Sequence, residues 1–253
     1  MIFIDKTSVP PPILLESQRK LKDSIKKHRS FDKIPEAERD RIVRNYHHKD
    51  IKEVLFNCSH EKCSYCEIIP SSSYMEVDHF EPKSLYPELV LDWDNLLPAC
   101  KKCNSNKLDY DTRTSPIINP TKINPEPFFD YDFLCIKPSN TSPDWVLSKR
   151  TIDVCNLNRY ELSKERMELL SHLDNYQRNL ESALRNYVNS DTELKRSRRI
   201  KKIRESIEII VDLSKSNKRL SGLCRNFLHK SLQYKEVKQK IDEFQKSHPD
   251  FEI

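Results

Sequence analysis

Two Cys-x-x-Cys pairs, Cys63-Ser64-Tyr65-Cys66 and Cys100-Lys101-Lys102-Cys103, constrain this chain more than any other feature. Each pair can present two thiolates to one ion, and a tetrahedral Zn²⁺ takes four ligands. The fold must therefore bring residues 63–66 and 100–103 together, whatever lies between them. A site closed by four sulfurs leaves no position for water, so the expected zinc is structural and any chemistry lies elsewhere. Cys58, Cys135, Cys155 and Cys224 are expected as free thiols. The opening Met1-Ile2-Phe3-Ile4-Asp5-Lys6 lacks a basic region followed by a long apolar run, so no secretory signal is expected. Cysteines in that context read as reduced thiols and metal ligands in the cytoplasm.

Glycine is the informative scarcity. Gly222 is the single glycine of 253 residues. A phosphate-cradling P-loop or a dinucleotide-binding turn needs glycines so that backbone amides can approach phosphate. Neither can be built here, so no nucleotide is expected on this chain itself. Turns must rely on 15 prolines and on Asn, Asp and Ser. Charged residues make up 33% of the chain and hydrophobic ones 36%, enough for a folded protein with a wet surface. A formal charge of +5 suits a polyanionic partner without requiring one. No stretch approaches the roughly 20 apolar residues of a membrane span.

The pattern divides the chain into four segments. Residues 1–57 read as an N-terminal arm and helices: Pro10-Pro11-Pro12 is expected to be non-helical, Leu14, Leu21 and Ile25 fall at helical spacing, and Ile42, Val43, Tyr46, Ile51, Val54 and Leu55 trace one stripe after Pro35. Residues 58–115 hold the cysteine pairs. Residues 116–150 carry six prolines and read as an extended linker. Residues 151–253 read as a helical domain, with one stripe over Leu162, Met167, Leu169, Leu170, Leu173, Tyr176, Leu180 and Leu184, and another over Ile200, Ile203, Ile207, Ile210 and Leu213. Seven of the ten residues 195–204 are basic and could follow a phosphate backbone or simply be solvated.

Between the cysteine pairs stands Glu76-Val77-Asp78-His79-Phe80-Glu81-Pro82-Lys83, then Asn95-Leu96, and after the second pair Asn104-Ser105-Asn106-Lys107. This order resembles the zinc-bearing HNH endonucleases. The resemblance implies a mainly α fold with a small zinc-stapled ββα-metal (HNH) unit, α+β in class, and hydrolysis of nucleic-acid phosphodiesters, with DNA favoured. It also implies a catalytic Mg²⁺ or Mn²⁺. A hard ion takes oxygen ligands, which Asp78 and the Asn104 amide can supply. His79, with an ordinary pKa of about 6.5, can act as general base. By the resemblance, His79 takes the proton of the attacking water, Asp78 and Asn104 hold the ion against phosphate, Asn95 orients the His79 loop, and Lys107 and Lys83 touch phosphate. Adjacent strand residues face opposite sides, so Asp78 and His79 can serve one site only if the strand ends or bends there.

Beyond the motif, the opening residues, Asn119-Pro120, Thr151-Ile152-Asp153 and Leu157-Asn158 resemble the HNH subunits (PtuB-like) of Septu-type and retron-associated anti-phage systems. That likeness implies a separate ATPase partner (PtuA-like), which would bind the ATP this chain cannot. Two other readings stay open: a stand-alone restriction or mobile-element HNH endonuclease, and a non-catalytic zinc adaptor that binds nucleic acid or protein.

Overall fold

The computed structural model describes residues 1–6, 9–70 and 74–249. They fall into two compact units, Met1–Arg159 and Tyr160–Ile253. The division lies beyond residue 151, because a helix, Trp145–Val154, runs across that position and belongs with the first unit. Among the described residues, no helix is long and apolar enough to cross a membrane.

In the first unit, α1 (Pro12–His28), α2 (Glu36–Val43) and α3 (Lys49–Cys58) precede the cysteine region. Pro12 corrects the expectation that the proline run is non-helical, since it opens α1. A proline at the first helical position loses no hydrogen bond, and its fixed φ suits the turn. The stripe after Pro35 is not one helix. A 3₁₀ turn, Arg44–His47, separates α2 from α3, and His48 caps α3 by accepting from the Asp50 amide through its side chain. Leu14, Leu21, Ile42, Tyr46, Ile51 and Leu55 nevertheless share one core with Val77, Val90, Leu91, Trp93 and Leu96. The helices α1–α3 are thus packed onto the cysteine-bearing region.

Strand β1 (Met75–His79) pairs antiparallel with β2 (Leu96–Cys100), Asp78 opposite Leu97 and His79 opposite Leu96; α4 (Lys101–Lys107) follows directly. The Cys100 sulfur accepts from the Cys103 amide at 3.4 Å and so caps α4. Pro98 can sit in β2 because the sheet has two strands and the outer edge needs no ladder. Its carbonyl accepts instead from the Ser64 amide (2.9 Å) and hydroxyl (2.7 Å), laying the first cysteine pair along that edge.

The proline-rich segment holds more order than a linker. It contains a hairpin, β3 (Phe129–Asp132) with β4 (Cys135–Pro138), and leads into α5 (Trp145–Val154). Asn158 brackets Ile136, accepting from its amide and donating to its carbonyl, both at 2.8 Å. Thr151 accepts from the Ile118 amide at 2.9 Å. These two polar side chains anchor backbone that proline content alone would read as wandering.

The second unit consists of α6 (Tyr160–Val188), α7 (Glu193–Leu213), α8 (Ser221–Lys230) and α9 (Leu232–Ser247). Leu162, Leu169, Leu173, Leu180 and Leu184 of α6 are buried, as are Ile200, Ile203, Ile207 and Ile210 of α7. Met167 departs from its expected stripe and is 53% exposed. Within the basic run, Lys195 pairs with Asp191, Arg196 with Glu193 and Arg204 with Glu208.

With one glycine in the chain, positive φ falls on other residues: Arg29, His60, Glu61, Glu67, Leu108, Phe133, Asn156 and Leu220. A β-carbon in that region costs on the order of 1 kcal/mol. Arg29, at φ 71° and ψ −13°, terminates α1 where glycine is the usual residue. We expect Arg29→Gly to stabilise the protein by about 0.5–1 kcal/mol, read as a higher urea midpoint at unchanged slope; an unchanged or lower midpoint would show that the left-handed cap is not strained.

Candidate active site and zinc centre

The sulfurs of Cys63, Cys66, Cys100 and Cys103 lie within 4.8 Å of one another, and all four residues are buried. Cys66 and Cys100 are 3.8 Å apart, too far for a disulfide. That spacing matches the edge of a tetrahedron with Zn–S bonds of about 2.3 Å. The donor set therefore fits one zinc ion. Arg159 lies alongside, its Nη1 3.4 Å from the Cys103 sulfur and its Nη2 3.8 Å from that of Cys100. A cation there offsets the excess negative charge of four thiolates around a divalent ion.

Tyr65, between the ligands of the first pair, is fully buried, and its hydroxyl donates to Asp78 Oδ2 at 2.5 Å. The other oxygen, Oδ1, receives Lys107 Nζ at 3.1 Å, and the same ammonium donates to the His79 carbonyl at 2.7 Å. Burial pushes the Asp78 carboxyl above its usual range, while Lys107 and Tyr65 oppose that rise. Lys107 was expected to reach phosphate. It is instead buried beneath Asp78, because the last turn of α4 points its long side chain back at β1.

Asn104 stands one turn earlier on α4 and donates through Nδ2 to Glu76 Oε2 at 2.7 Å. A carboxylate can only accept, so the amide nitrogen faces Glu76 and Oδ1 keeps its lone pairs for a cation. Glu76 and Asp78 share a face of β1 at the two-residue strand period.

His79 turns the other way, toward Tyr46 and Val90. Its Nε2 lies 2.9 Å from the Val90 carbonyl, and the Tyr46 ring meets it edge-on at 4.8 Å. Because a carbonyl accepts, Nε2 carries the proton and Nδ1 holds the free lone pair of the neutral ring. Burial lowers the His79 pKa to about 4, with the Val90 carbonyl opposing and Lys83 and Lys107 adding to the fall. The imidazole is thus neutral at pH 7. Asn95 clamps the turn after His79: its Oδ1 accepts from the Glu81 amide at 2.7 Å, and its Nδ2 donates to the carbonyls of Glu81 (3.0 Å) and Leu89 (3.3 Å).

Asp78, His79 and Asn104 border one open cavity of about 500 Å³, and Lys83 borders it too. The opposite-face problem resolves because β1 stops at His79. Tyr46, His47 and Lys52 also line the cavity, although they precede the first cysteine pair. Sequence reasoning missed these three, and also Tyr65, Glu76 and Arg159. Glu76 was findable from its period-two relation to Asp78, and Tyr65 from its place inside the cysteine pair.

Residues 63–109 match the model of the HNH endonuclease family. The chain is also similar to two proteins named Septu protein PtuB. That of Bacillus thuringiensis is 42% identical over 113 residues, covering 44% of this chain and 42% of that protein. That of Bacillus mycoides (strain KBAB4) is 28% identical over 162 residues, covering 51% of this chain and 54% of that protein. The chain thus spans about half the length of the curated relatives it matches.

We expect one zinc per chain by inductively coupled plasma mass spectrometry. Cys66→Ser should lose most of that zinc and lower the melting temperature of the first unit. Full stability with no bound zinc would refute the structural centre.

Proposed function

We propose that this chain is a metal-dependent HNH endonuclease that hydrolyses nucleic-acid phosphodiester bonds, with DNA as the polymer to test first. The observation that carries the reading is the neutral His79, its Nε2 proton held by the Val90 carbonyl, on a residue that borders the same cavity as Asp78 and Asn104. Asp78 and Asn104 would hold a Mg²⁺ or Mn²⁺, which supplies Lewis acidity toward the phosphate. Lys107 and Tyr65 hold Asp78 from behind, so the carboxylate keeps a fixed direction before any ion arrives. His79 Nδ1 takes one proton from the attacking water as the water oxygen bonds to phosphorus. The bond to the leaving oxygen breaks, and that oxygen acquires a proton from solvent. Asn95 holds the turn that presents the imidazole.

His79→Ala should lower cleavage of a DNA substrate by at least about 100-fold while the chain keeps its zinc and stays folded, with a lower melting temperature because a buried ring is lost. Cleavage at the wild-type rate would refute the reading and leave the non-catalytic zinc adaptor. Asp78→Asn should lower cleavage as well, and it should also lower the melting temperature, because the buried Lys107 ammonium loses its carboxylate.

The likeness to Septu protein PtuB supports a narrower reading, in which the chain is the nuclease subunit of an anti-phage assembly with a separate ATPase. The scarcity of glycine is consistent with nucleotide binding on another chain. Co-expression with an ATPase encoded beside the gene should give one complex by size-exclusion chromatography, with cleavage that responds to ATP. Separate elution, with efficient cutting at a defined sequence by this chain alone, would favour the stand-alone endonuclease.

A further inference from the structure

Tyr46 joins the N-terminal helices to the cavity. It is 7% exposed, belongs to the core of α1–α3, and sets its ring edge against His79. Its hydroxyl accepts from Lys83 Nζ at 2.7 Å, and the same ammonium stands 4.9 Å from the ring centroid. Its ring also lies 3.9 Å from that of His47. Lys52, one turn into α3, lines the same cavity as Lys83 and His47.

Among the described residues, His47, Lys52 and Lys83 form no ion pair with a carboxylate, whereas the buried cations nearby do: Lys107 with Asp78 and Lys62 with Glu67. Both lysines act on His47. The His47 pKa lies below its usual range, through burial first and then through Lys52 and Lys83. Two ammonium groups gathered beside a largely neutral imidazole on a concave surface leave a positive field that favours a visiting anion. Of the three carboxylates that also border the cavity, Glu76 bonds Asn104 and Asp78 bonds Lys107, and Asp109 is the third.

The geometry points to a phosphate-binding wall formed by Lys52, Lys83 and His47, mounted on Tyr46, that takes a nucleic-acid backbone phosphate next to the one being cut. The wall deepens the nuclease reading and rests on it. Tyr46, His47 and Lys52 lie outside the matched residues 63–109, so the N-terminal segment contributes to substrate binding. Tyr46 acts as a positioning residue for both Lys83 and the His79 ring. Phosphate is the chemistry that fits, because nearby backbone phosphates necessarily accompany a scissile bond placed at Asp78 and His79.

The test measures binding separately from cleavage. The full chain carrying His79→Ala is titrated against a fluorescein-labelled 20-base-pair DNA duplex by anisotropy, at several salt concentrations. Adding Lys52→Ala and Lys83→Ala should raise Kd at least about tenfold and flatten the slope of log K against log salt by about 1, as for one lost phosphate contact. The paired Lys→Arg variants should bind like the parent, and Lys22→Ala on α1, which does not line the cavity, should change neither quantity. An unchanged Kd and slope, or an equal loss in Lys22→Ala, overturns the wall. If the double variant fails to fold, Lys52→Gln alone decides by the same two readouts. These outcomes are independent of whether His79→Ala abolishes cleavage, so failure of the wall is distinguishable from failure of the nuclease assignment.

Discussion

The four-sulfur cluster holds the two halves of the site together. One cysteine pair lies along the outer edge of β2 and delivers the Tyr65 hydroxyl to Asp78. The other caps α4 and thereby sets the helix that presents Asn104 and Lys107. Two strands of five residues and a helix of seven bury too little surface to fix these positions alone. The sulfur centre therefore does more than stabilise. Each proposed ion ligand is within a few residues or one hydrogen bond of a zinc-ligating cysteine. Removing the ion would loosen both ligands at once.

The buried pair of Lys107 and Asp78 has a related meaning. Ion pairs out of water are poor sources of stability, because desolvation offsets most of the attraction. Its consequence here is directional. The ammonium bonds both the Asp78 carboxylate and the His79 carbonyl, so one cation fixes consecutive residues at the end of β1. Tyr65 takes the remaining oxygen. The carboxylate is thus oriented by the protein itself, which would lower the reorganisation left for the proposed reaction.

How much of this was legible depended on the range of the interaction. The cysteine pairs, the Asp78-His79 step and the Asn104 helix turn are local patterns, and strand and helix periods carry them. The long α6 and α7 stripes were legible for the same reason. Lys107 was misread because a lysine at a helix end ordinarily faces solvent; only the carboxylate 29 positions earlier shows otherwise. Tyr46 was read as one apolar member of a stripe. Its contacts with His79 and Lys83 cross 33 and 37 positions, so no window of sequence contains them. The break between α2 and α3 was hidden because its apolar residues keep roughly helical spacing through the 3₁₀ turn. The hairpin at 129–138 was hidden by prolines whose backbone is anchored by Asn158 from 20 or more residues away.

The partner of the His79 ring at Val90 is a peptide oxygen. Every amino acid carries that oxygen, so no substitution at position 90 can delete it. Evolution can shift the acceptor only by moving the main chain between β1 and β2. A comparison of residue identities down a family would therefore assign position 90 a packing role and overlook the atom that selects the imidazole tautomer.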